Sequence, residues 1–272
     1  MSRSPQDFAA IFRALHRGPA PLLLPNAWDP GSAAMMQSLG ASAVATSSAA
    51  VAWAQGYGDG DQLPIAQLAA TAAAITRKLR VPLTVDFEGG YADDTRLVGE
   101  NLARLLDAGI AGINIEDGRA APELLCRKIE AVRGAAARAG IELFINARSD
   151  VYLKGLVPPE QRVAEVLARA ARYAEAGADG LFAAGARQPE EIAAICAGTP
   201  LPVNILALPG VPPAAELALL GVRRLSAGSG IAESVYARIG ELTLGFLKTG
   251  DGRVLSEQAM AYGELNALMA GD

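Results

Sequence analysis

Two acidic residues, Asp86 and Glu88, stand two positions apart after a short apolar run, residues 81–85, and are followed by Gly89 and Gly90. Alternate residues of a strand project to the same face, so both carboxylates point the same way if the strand continues through them. Burying two like charges in apolar surroundings is costly unless a partner or ligand compensates them. Mg²⁺ takes oxygen ligands and usually only one or two protein carboxylates. The segment therefore predicts a site for a hard cation, with two solvated loop acids as the simpler alternative.

The secondary structure that positions these acids is an alternation of apolar runs and helix-like segments. The runs cover residues 21–28, 41–48, 81–87, 111–115, 143–147, 179–184, 201–208 and 222–227. Glycines expected to end helices in the left-handed conformation precede four of them, at Gly40, Gly109, Gly177 and Gly221. The alternation is typical of a parallel sheet, and the first strand lacks a following GxGxxG motif. Eight units without a linker therefore favour an α/β fold in which residues 1–272 form one (β/α)₈ TIM barrel.

Helical segments are predicted before and after the barrel. The N-terminal segment, residues 1–18, contains a capped amphipathic helix over residues 4–17. His16, at the end of this helix, is expected to be a packing or surface residue rather than a catalytic one. The C-terminal segment, residues 231–272, is expected to form helices interrupted by the polar stretch 248–253. Because a complete barrel does not need these extra helices, we expect them to lie at a subunit interface.

Composition narrows the classes of function. The net charge of −5 and the absence of a basic cluster argue against nucleic acid as a partner. Cys126 and Cys196 are far apart and His16 is the one histidine, which excludes a Cys/His zinc site and indicates a reducing compartment. No apolar run reaches the roughly 18 residues of a membrane span, and the polar first residues are unlike a signal peptide. We therefore expect a cytoplasmic protein with no membrane partner.

Polar residues recur where the predicted strands end, which is the edge of a TIM barrel at which active sites form. Most of them are acids, joined by Arg148 and by small polar residues. Acids suit a divalent cation, whereas arginine binds a carboxylate through two parallel hydrogen bonds. The set predicts a cation with an anionic substrate, although Arg148 could instead pair only with Asp150 or Glu116. The residues are Trp28, Ser47, Ser48, Asp59, Asp86, Glu88, Glu116, Arg148 and Asn204.

The order of six motifs resembles that of the isocitrate lyase / phosphoenolpyruvate mutase superfamily, and in particular its phosphonomutase-like branch. The resemblance implies a (β/α)₈ barrel that binds Mg²⁺, with Mn²⁺ as an alternative, and acts on small anionic 2-oxo acids through an enolate-like intermediate. It also implies a homo-oligomer, a dimer or a tetramer, in which a C-terminal helix is swapped between neighbours. The motifs are Pro25-Asn-Ala-Trp-Asp29, Ala45-Thr-Ser-Ser-Ala49, Gly56-Tyr-Gly-Asp-Gly60, Val85-Asp-Phe-Glu-Gly-Gly-Tyr91, Ile113-Asn-Ile-Glu-Asp117 and Asn146-Ala-Arg-Ser-Asp150.

Matching these motifs residue by residue implies a role for each side chain. Asp86 is implied as the direct metal ligand, and Glu88, Glu116 and Asp59 as acids that hold the metal directly or through water. Arg148, Asp59 and Glu116 are accordingly the predicted catalytic residues. The implied substrate-binding residues are Ser47, Ser48, Ala49, Arg148, Asn204 and Trp28.

The sequence departs from the superfamily at positions that would define the reaction. The loop after the fourth strand lacks the Lys-Lys-Cys-Gly-His sequence of the lyases and the asparagine of the mutases, and Cys126 nearby has no following Gly-His. Ala183 and Ala184 stand where lyases place a glutamate, and the arginine expected after the eighth strand falls near residues 231–232. Fewer polar groups imply a substrate smaller than isocitrate or methylisocitrate.

Three functions fit this sequence. The first is Mg²⁺-dependent cleavage of a carbon–carbon bond in a small 2-oxo acid or oxo-dicarboxylate such as oxaloacetate. The second is P–C bond chemistry on phosphonopyruvate, as a mutase or a hydrolase. The third is a non-catalytic 2-oxo acid binding protein that has kept the site and lost the proton-transfer loop.

Overall fold

The computed structural model describes residues 4–270, which begin with a capped helix. Helix α1 (Pro5–Leu15) starts after Ser4, whose hydroxyl accepts a hydrogen bond from the Asp7 amide while the Asp7 carboxylate accepts one from the Ser4 amide. The helix lies within the predicted range 4–17, and residues 1–3 of the predicted N-terminal segment fall outside the described residues.

Nine parallel strands surround the barrel axis in the described part of the chain. They are β1 (Leu22–Leu24), β2 (Asn26–Ala27), β3 (Val44–Thr46), β4 (Leu83–Asp86), β5 (Gly112–Glu116), β6 (Phe144–Ser149), β7 (Gly180–Ala183), β8 (Val203–Leu206) and β9 (Arg224–Ser226). Strand β1 pairs with β9 and β2 pairs with β3, and only Pro25 separates β1 from β2. Because proline lacks the N–H that a ladder needs, β1 and β2 are one interrupted strand. The fold is therefore the predicted (β/α)₈ TIM barrel.

Helices cover the outside of the strands. They are α2 (Pro30–Ser38), α3 (Ser48–Ala54), α4 (Ile65–Lys78), α5 (Thr95–Asp107), α6 (Pro122–Arg138), α7 (Arg162–Glu175), α8 (Pro189–Gly198) and α9 (Ala214–Leu219), with a 3₁₀ turn at Pro159–Gln161 before α7. The glycines predicted to end helices do adopt the left-handed conformation. Their φ angles are +94° at Gly40, +83° at Gly109, +104° at Gly177 and +95° at Gly221.

Aromatic side chains from α1 and β6 close the amino-terminal end of the barrel. The Phe12 ring meets the Phe144 ring edge to face at 5.5 Å, and His16 stacks on Phe144 at 4.1 Å. A Cβ at Gly112 would lie 2.9 Å from Phe12, so this strand position accepts only glycine. His16 is 5% exposed and packs against these rings, as the sequence predicts.

Three further helices follow the barrel: α10 (Gly230–Thr249), α11 (Arg253–Ser256) and α12 (Tyr262–Ala270). These helices expose a large apolar surface, which is typical of an interaction site. Its exposed side chains are Ile231, Val235, Tyr236, Ile239, Leu244, Phe246, Leu247, Leu255, Met260, Tyr262 and Leu265. Within the described range, no helix combines the length and apolar character required to cross a membrane.

Candidate active site

Asp86 is the last residue of β4 and lies at the carboxyl-terminal edge of the barrel. Its amide donates to the Thr46 hydroxyl at 2.9 Å, and its Oδ2 accepts a hydrogen bond from the Ser48 amide at 3.1 Å. The other oxygen, Oδ1, is buried and has no hydrogen-bond partner among residues 4–270. Burial raises the pKa of this carboxyl, and the charge of Arg148 opposes the rise. A buried carboxylate oxygen without a donor is costly unless a ligand compensates it.

Glu88 lies in a turn after β4, because the strand ends at Asp86. Its φ angle of +47° is in the left-handed region, which is uncommon for a side chain other than glycine. Its Oε1 accepts a hydrogen bond from the Tyr91 hydroxyl at 2.6 Å, and its Oε2 accepts one from the Asp61 amide. The strand alternation that predicted parallel carboxylates at Asp86 and Glu88 therefore does not hold at Glu88.

The turn after β4 and the loop between α3 and α4 are held together by residues in unusual backbone conformations. Asp61, Glu88 and Tyr91 have φ angles of +56°, +47° and +58°. Such conformations cost on the order of 1 kcal/mol or more each and persist only where surrounding contacts fix them. The Glu88 carboxylate contacts both of the others, and Lys128 Nζ donates to the Gly89 carbonyl at 2.8 Å. These contacts fix the loop that carries Asp59 against the end of β4.

Asp59 itself is exposed and has no hydrogen-bond partner in the described part of the chain. Its charge nevertheless contributes to the raised pKa of Asp86, and the Asp61 amide two residues later ties its loop to Glu88 after β4. Asp61, which donates this backbone amide to Glu88, was not among the site residues predicted from the sequence. The repeated glycine–aspartate pattern of residues 58–61 includes Asp61, but the family motif, residues 56–60, ends before it and indicated only Asp59.

Arg148 bridges two acids across neighbouring strands. Glu116 and Arg148 are opposite each other in the pairing of β5 with β6, and Arg148 Nη1 lies 2.7 Å from Glu116 Oε2. Arg148 Nε lies 2.7 Å from Asp150 Oδ1, and the guanidinium stands 5.9 Å from the centre of the Phe182 ring. Both alternative partners considered for Arg148 are thus real contacts, and neither uses Nη2.

The acids of the site outnumber the positive charge that faces them. Burial raises the pKa of Glu116 to about 8; Arg148 opposes this rise, and the charges of Asp86 and Asp150 add to it. The pKa of Glu116 is therefore high despite its ion pair with Arg148. A bound cation would remove this conflict, because an added positive charge favours the ionised carboxylates.

A second layer of polar residues holds Asp150 in place. Asp117 Oδ1 accepts a hydrogen bond from the Asp150 amide at 2.9 Å, and Asp117 Oδ2 accepts bonds from Arg169 at 2.8 Å and from the Tyr173 hydroxyl at 2.7 Å. Lys154 Nζ lies 3.5 Å from Asp150 Oδ2 in the turn after β6. The sequence carries no local signal for this network, because its members come from three separate elements.

The segment after β3 places small residues beside Asp86. Ser47 precedes α3, and its Oγ accepts a hydrogen bond from the Ala50 amide at 3.4 Å. Ser48 donates its amide to Asp86, and Ala49 is buried next to it. Ser47, Ser48 and Ala49 are predicted substrate-binding residues, and all three lie at the carboxyl-terminal edge.

Polar side chains also occupy the barrel interior. Asn204 on β8 accepts a hydrogen bond from the Ser226 hydroxyl at 3.3 Å, and its Nδ2 has no partner in the described part of the chain. Arg224 on β9 is fully buried and donates to Asn114 Oδ1 at 3.2 Å; burial lowers its pKa to about 9. Trp28, after β2, is half-buried against the apolar core. Asn204 and Trp28 were among the predicted substrate-binding residues, whereas Arg224 was not.

The donor set is consistent with Mg²⁺. Among residues 4–270, no three His, Cys, Asp or Glu side chains converge into a ready-made cluster. Mg²⁺ does not need one, because it keeps several water ligands and usually takes one or two carboxylates. The unpartnered Oδ1 of Asp86 supplies such a ligand. The residues present therefore fit the ion, with Asp86 as the first candidate ligand.

A family model described as phosphoenolpyruvate phosphomutase matches residues 12–246. The chain belongs to this family. The predicted membership of the isocitrate lyase / phosphoenolpyruvate mutase superfamily is thereby confirmed. Cys126, the residue nearest to the missing lyase loop, lies on α6 and packs half-buried against the outer core.

Two relatives and one solved structure show how similar the chain is to known proteins. An uncharacterized protein from Mycobacterium tuberculosis is 37% identical over 222 residues, 80% of this chain and 81% of that protein. Oxaloacetate decarboxylase from Pseudomonas savastanoi pv. phaseolicola is 28% identical over 81% of this chain and 78% of that protein. A solved structure from Burkholderia cenocepacia J2315, provisionally described as a phosphonomutase, is 41% identical with a TM-score of 0.83, covering 87% of this chain and 99% of that one.

Proposed function

We propose that the protein cleaves a carbon–carbon bond in a small 2-oxo acid or oxo-dicarboxylate, with Mg²⁺, or Mn²⁺ as an alternative, as its cofactor. The observation that carries this proposal is the buried, unpartnered Oδ1 of Asp86 close to the Glu116–Arg148 ion pair. An acid that needs a cation and an arginine that suits a carboxylate stand together at the edge where TIM-barrel chemistry occurs.

The acids have separate tasks in this proposal. Asp86 would ligate the ion directly, and Glu88, Glu116 and Asp59 would hold it directly or through water. When bound, the ion polarises the ketone and carboxylate oxygens of the substrate and stabilises the negative charge of the enolate. The contacts of Glu88 with Asp61 and Tyr91 keep the surrounding loops in place, so the acids need little rearrangement when substrate binds.

The remaining groups bind the substrate. Arg148 offers Nη2 to the substrate carboxylate while Glu116 and Asp150 hold its other nitrogens. Another anionic oxygen of the substrate is bound by the hydroxyls of Ser47 and Ser48 and by the Ala49 amide. Asn204 Nδ2 donates a hydrogen bond to a third polar atom of the substrate. Arginine is charged throughout the physiological range, so Arg148 contributes a fixed positive charge as the enolate forms.

Lys154 supplies the proton that completes the reaction. When the bond to the departing carboxyl carbon breaks, its electron pair stays on the neighbouring carbon as the enolate, and that carbon must then be protonated. Lys154 Nζ lies 3.5 Å from Asp150 Oδ2 and its charge acts on Glu116, whereas Arg148 cannot serve because it does not release its protons. The ammonium gives its proton to carbon and recovers one from water. This role replaces the missing cysteine loop.

The small number of polar side chains at the site favours oxaloacetate over larger acids. Ala183 and Ala184 are fully buried and offer no side-chain polar group where lyases carry glutamate. The half-buried Trp28 takes up space at the same edge. The 28% identity to an oxaloacetate decarboxylase supports the same substrate class. We therefore propose decarboxylation of oxaloacetate to pyruvate as the first reaction to assay.

Turnover assays test this proposal. Oxaloacetate, 2-methylisocitrate and phosphonopyruvate are incubated with the protein in Mg²⁺ and in EDTA, with protein-free controls because metal ions decarboxylate oxaloacetate slowly by themselves. We expect pyruvate from oxaloacetate only when both protein and Mg²⁺ are present. Turnover that is unaffected by EDTA contradicts the metal role. Tight binding of pyruvate or 2-oxoglutarate without any turnover identifies a non-catalytic oxo acid binding protein instead.

A second candidate function is cleavage or rearrangement of the P–C bond of phosphonopyruvate. The match to the phosphoenolpyruvate phosphomutase model and the 41% identity to the Burkholderia structure support it. Both functions use the same acids and Arg148, so substitutions at the site do not separate them. ³¹P NMR of the product does: inorganic phosphate indicates a hydrolase, phosphoenolpyruvate a mutase, and unchanged phosphonopyruvate excludes both.

The apolar surface of α10–α12 supports a homo-oligomer, a dimer or a tetramer that exchanges a C-terminal helix. Ile239, Leu244 and Leu247 are among its most exposed side chains, and their burial would stabilise an assembly by the hydrophobic effect. Light scattering after gel filtration gives the mass, and Ile239→Glu with Leu247→Glu is expected to reduce it. Cytoplasmic location stays a prediction from composition.

A further inference from the structure

A cavity lies at the opposite end of the barrel from Asp86. It measures about 490 Å³. Several wall residues stand at the amino-terminal ends of strands: Phe144 begins β6, Pro202 precedes β8, and Arg223 precedes β9. Asp86, Glu116 and Arg148 stand at the carboxyl-terminal ends. The cavity is therefore separate from the candidate active site.

The wall of this cavity carries an excess of positive charge. Arg13, Arg17 and Arg223 line it, and Asp179 is the one carboxylate among its described lining residues. Asp179 is already paired twice, with Arg13 at 2.6 Å and with Arg133 at 2.5 Å. Arg17 and Arg223 have no carboxylate partner in the part of the chain that the structure describes. Arg223 Nη1 donates to the Val222 carbonyl at 3.1 Å, so the guanidinium of Arg17 and the other nitrogens of Arg223 remain for a ligand.

Neutral hydrogen-bonding groups stand beside these arginines. His16 Nδ1 lies 2.8 Å from the Phe12 carbonyl, which can only accept, so Nδ1 carries the proton and Nε2 is an acceptor. This Nε2 is buried and has no partner in the described residues. The Thr199 hydroxyl accepts from the Leu201 amide at 3.3 Å and keeps its own proton to donate. Burial raises the pKa of Cys196 to about 11, so its thiol adds no negative charge.

Three carbonyls at the end of α1 already have donors, which reduces the partial negative charge that they present to an anion. The Phe12 carbonyl accepts from the His16 ring, and the Arg13 and Ala14 carbonyls accept from the amides of His16 and Arg17. The positive charge of Arg17 and Arg223 is therefore larger than the partial negative charge at the end of α1.

We propose that this cavity binds a small phosphate monoester that carries a hydroxyl group. Guanidinium groups without a carboxylate partner match the oxygens of a phosphate through parallel hydrogen bonds. His16 Nε2 requires a donor, which a hydroxyl supplies and a fully ionised phosphate lacks. The volume lies within the range of small-molecule sites, about 300–1,000 Å³. The proposal does not depend on the reaction catalysed at the other end of the barrel.

Calorimetric titration of the full chain with glycerol 3-phosphate at low salt tests this site. We expect one binding site in the native protein, with weaker binding of inorganic phosphate and none of glycerol. Each charge-assisted contact that is lost weakens binding by about tenfold, so Arg17→Gln with Arg223→Gln should weaken it about 100-fold. The matched control, Arg104→Gln with Arg127→Gln on the outer helices, makes the same charge change and should leave the affinity unchanged.

Arg148→Gln separates this cavity from the active site, and binding of glycerol 3-phosphate should persist in that variant. Thermal unfolding of each variant confirms that it is folded. The proposal is overturned if the native protein does not bind, if Arg17→Gln with Arg223→Gln binds as tightly as the native protein, or if only Arg148→Gln loses binding. Inorganic phosphate binding as tightly as glycerol 3-phosphate overturns the requirement for a hydroxyl.

Discussion

Replacing Glu116 by glutamine should stabilise the metal-free protein while it abolishes activity. The pKa of Glu116 is raised from 4.5 to about 8, chiefly by burial. Because its pKa is higher in the folded state, the folded protein holds a proton that the unfolded chain releases between these values. The contribution of Glu116 to the free energy of unfolding is therefore fully present below pH 4.5 and is lost as the pH rises through 8.

The size of this effect follows from the two pKa values. A tenfold change in proton affinity is worth about 1.4 kcal/mol, so the ionised Glu116 costs up to about 5 kcal/mol above pH 8. Glutamine keeps the shape but carries no charge, and it gives up the attraction of the Arg148 guanidinium, which is 2.7 Å from Glu116. We therefore expect a net gain of about 2–5 kcal/mol in the free energy of unfolding at pH 8.5 and little change at pH 4.5.

Urea unfolding in EDTA at pH 4.5, 7 and 8.5 measures this gain. Glu175→Gln, at an exposed glutamate on α7, is the matched control and should show no such pH dependence. Mg²⁺ should stabilise the native protein more than Glu116→Gln, because a ligand that binds only the folded state raises its stability. If the free energy of unfolding of Glu116→Gln has the same pH dependence as that of the native protein, ionisation of Glu116 does not destabilise the metal-free protein and this account is wrong.

Three other perturbations test separate parts of the site and fold. Arg148→Lys should lower kcat by on the order of 10²–10³, as for a lost oxyanion donor, in steady-state assays with oxaloacetate; an unchanged kcat contradicts its role. Lys154→Met and Lys154→Arg should both lower the rate of pyruvate formation by about 10²-fold or more. Arginine keeps the charge but cannot give up a proton, so activity of Lys154→Arg near the native level would show that only the charge matters. Burial lowers the pKa of His16 from 6.5 to about 3, so stability is present above pH 6.5 and falls towards pH 3; His16→Phe should remove about 1.4 kcal/mol per pH unit of this slope in urea unfolding, and an unchanged slope contradicts the assignment.

The barrel could be predicted because its signals are local. Apolar runs and helix-ending glycines recur along the chain, and each is set by residues adjacent in sequence. The interruption of the first strand at Pro25 had the same kind of signal, since proline cannot donate to a ladder. It changed the number of strand segments without changing the barrel.

The site could be predicted only in part, because its geometry depends on distant contacts. Asp86 lies where the strand pattern placed it. Glu88 does not follow that pattern, since its positive φ is fixed by Tyr91 and by Asp61 from another loop. The ion pair of Arg169 with Asp117 likewise joins elements far apart in sequence.

The central claim is that Asp86 holds the metal on which turnover depends. The most direct measurement is a titration of Mg²⁺ into EDTA-stripped native protein and Asp86→Asn, with the initial rate of pyruvate formation from oxaloacetate recorded above the protein-free rate. We predict a rate that saturates with Mg²⁺ in the native protein, and a rate lower by at least about 10²-fold at every Mg²⁺ concentration in Asp86→Asn. Equal rates and equal Mg²⁺ dependence in the two proteins would contradict the claim.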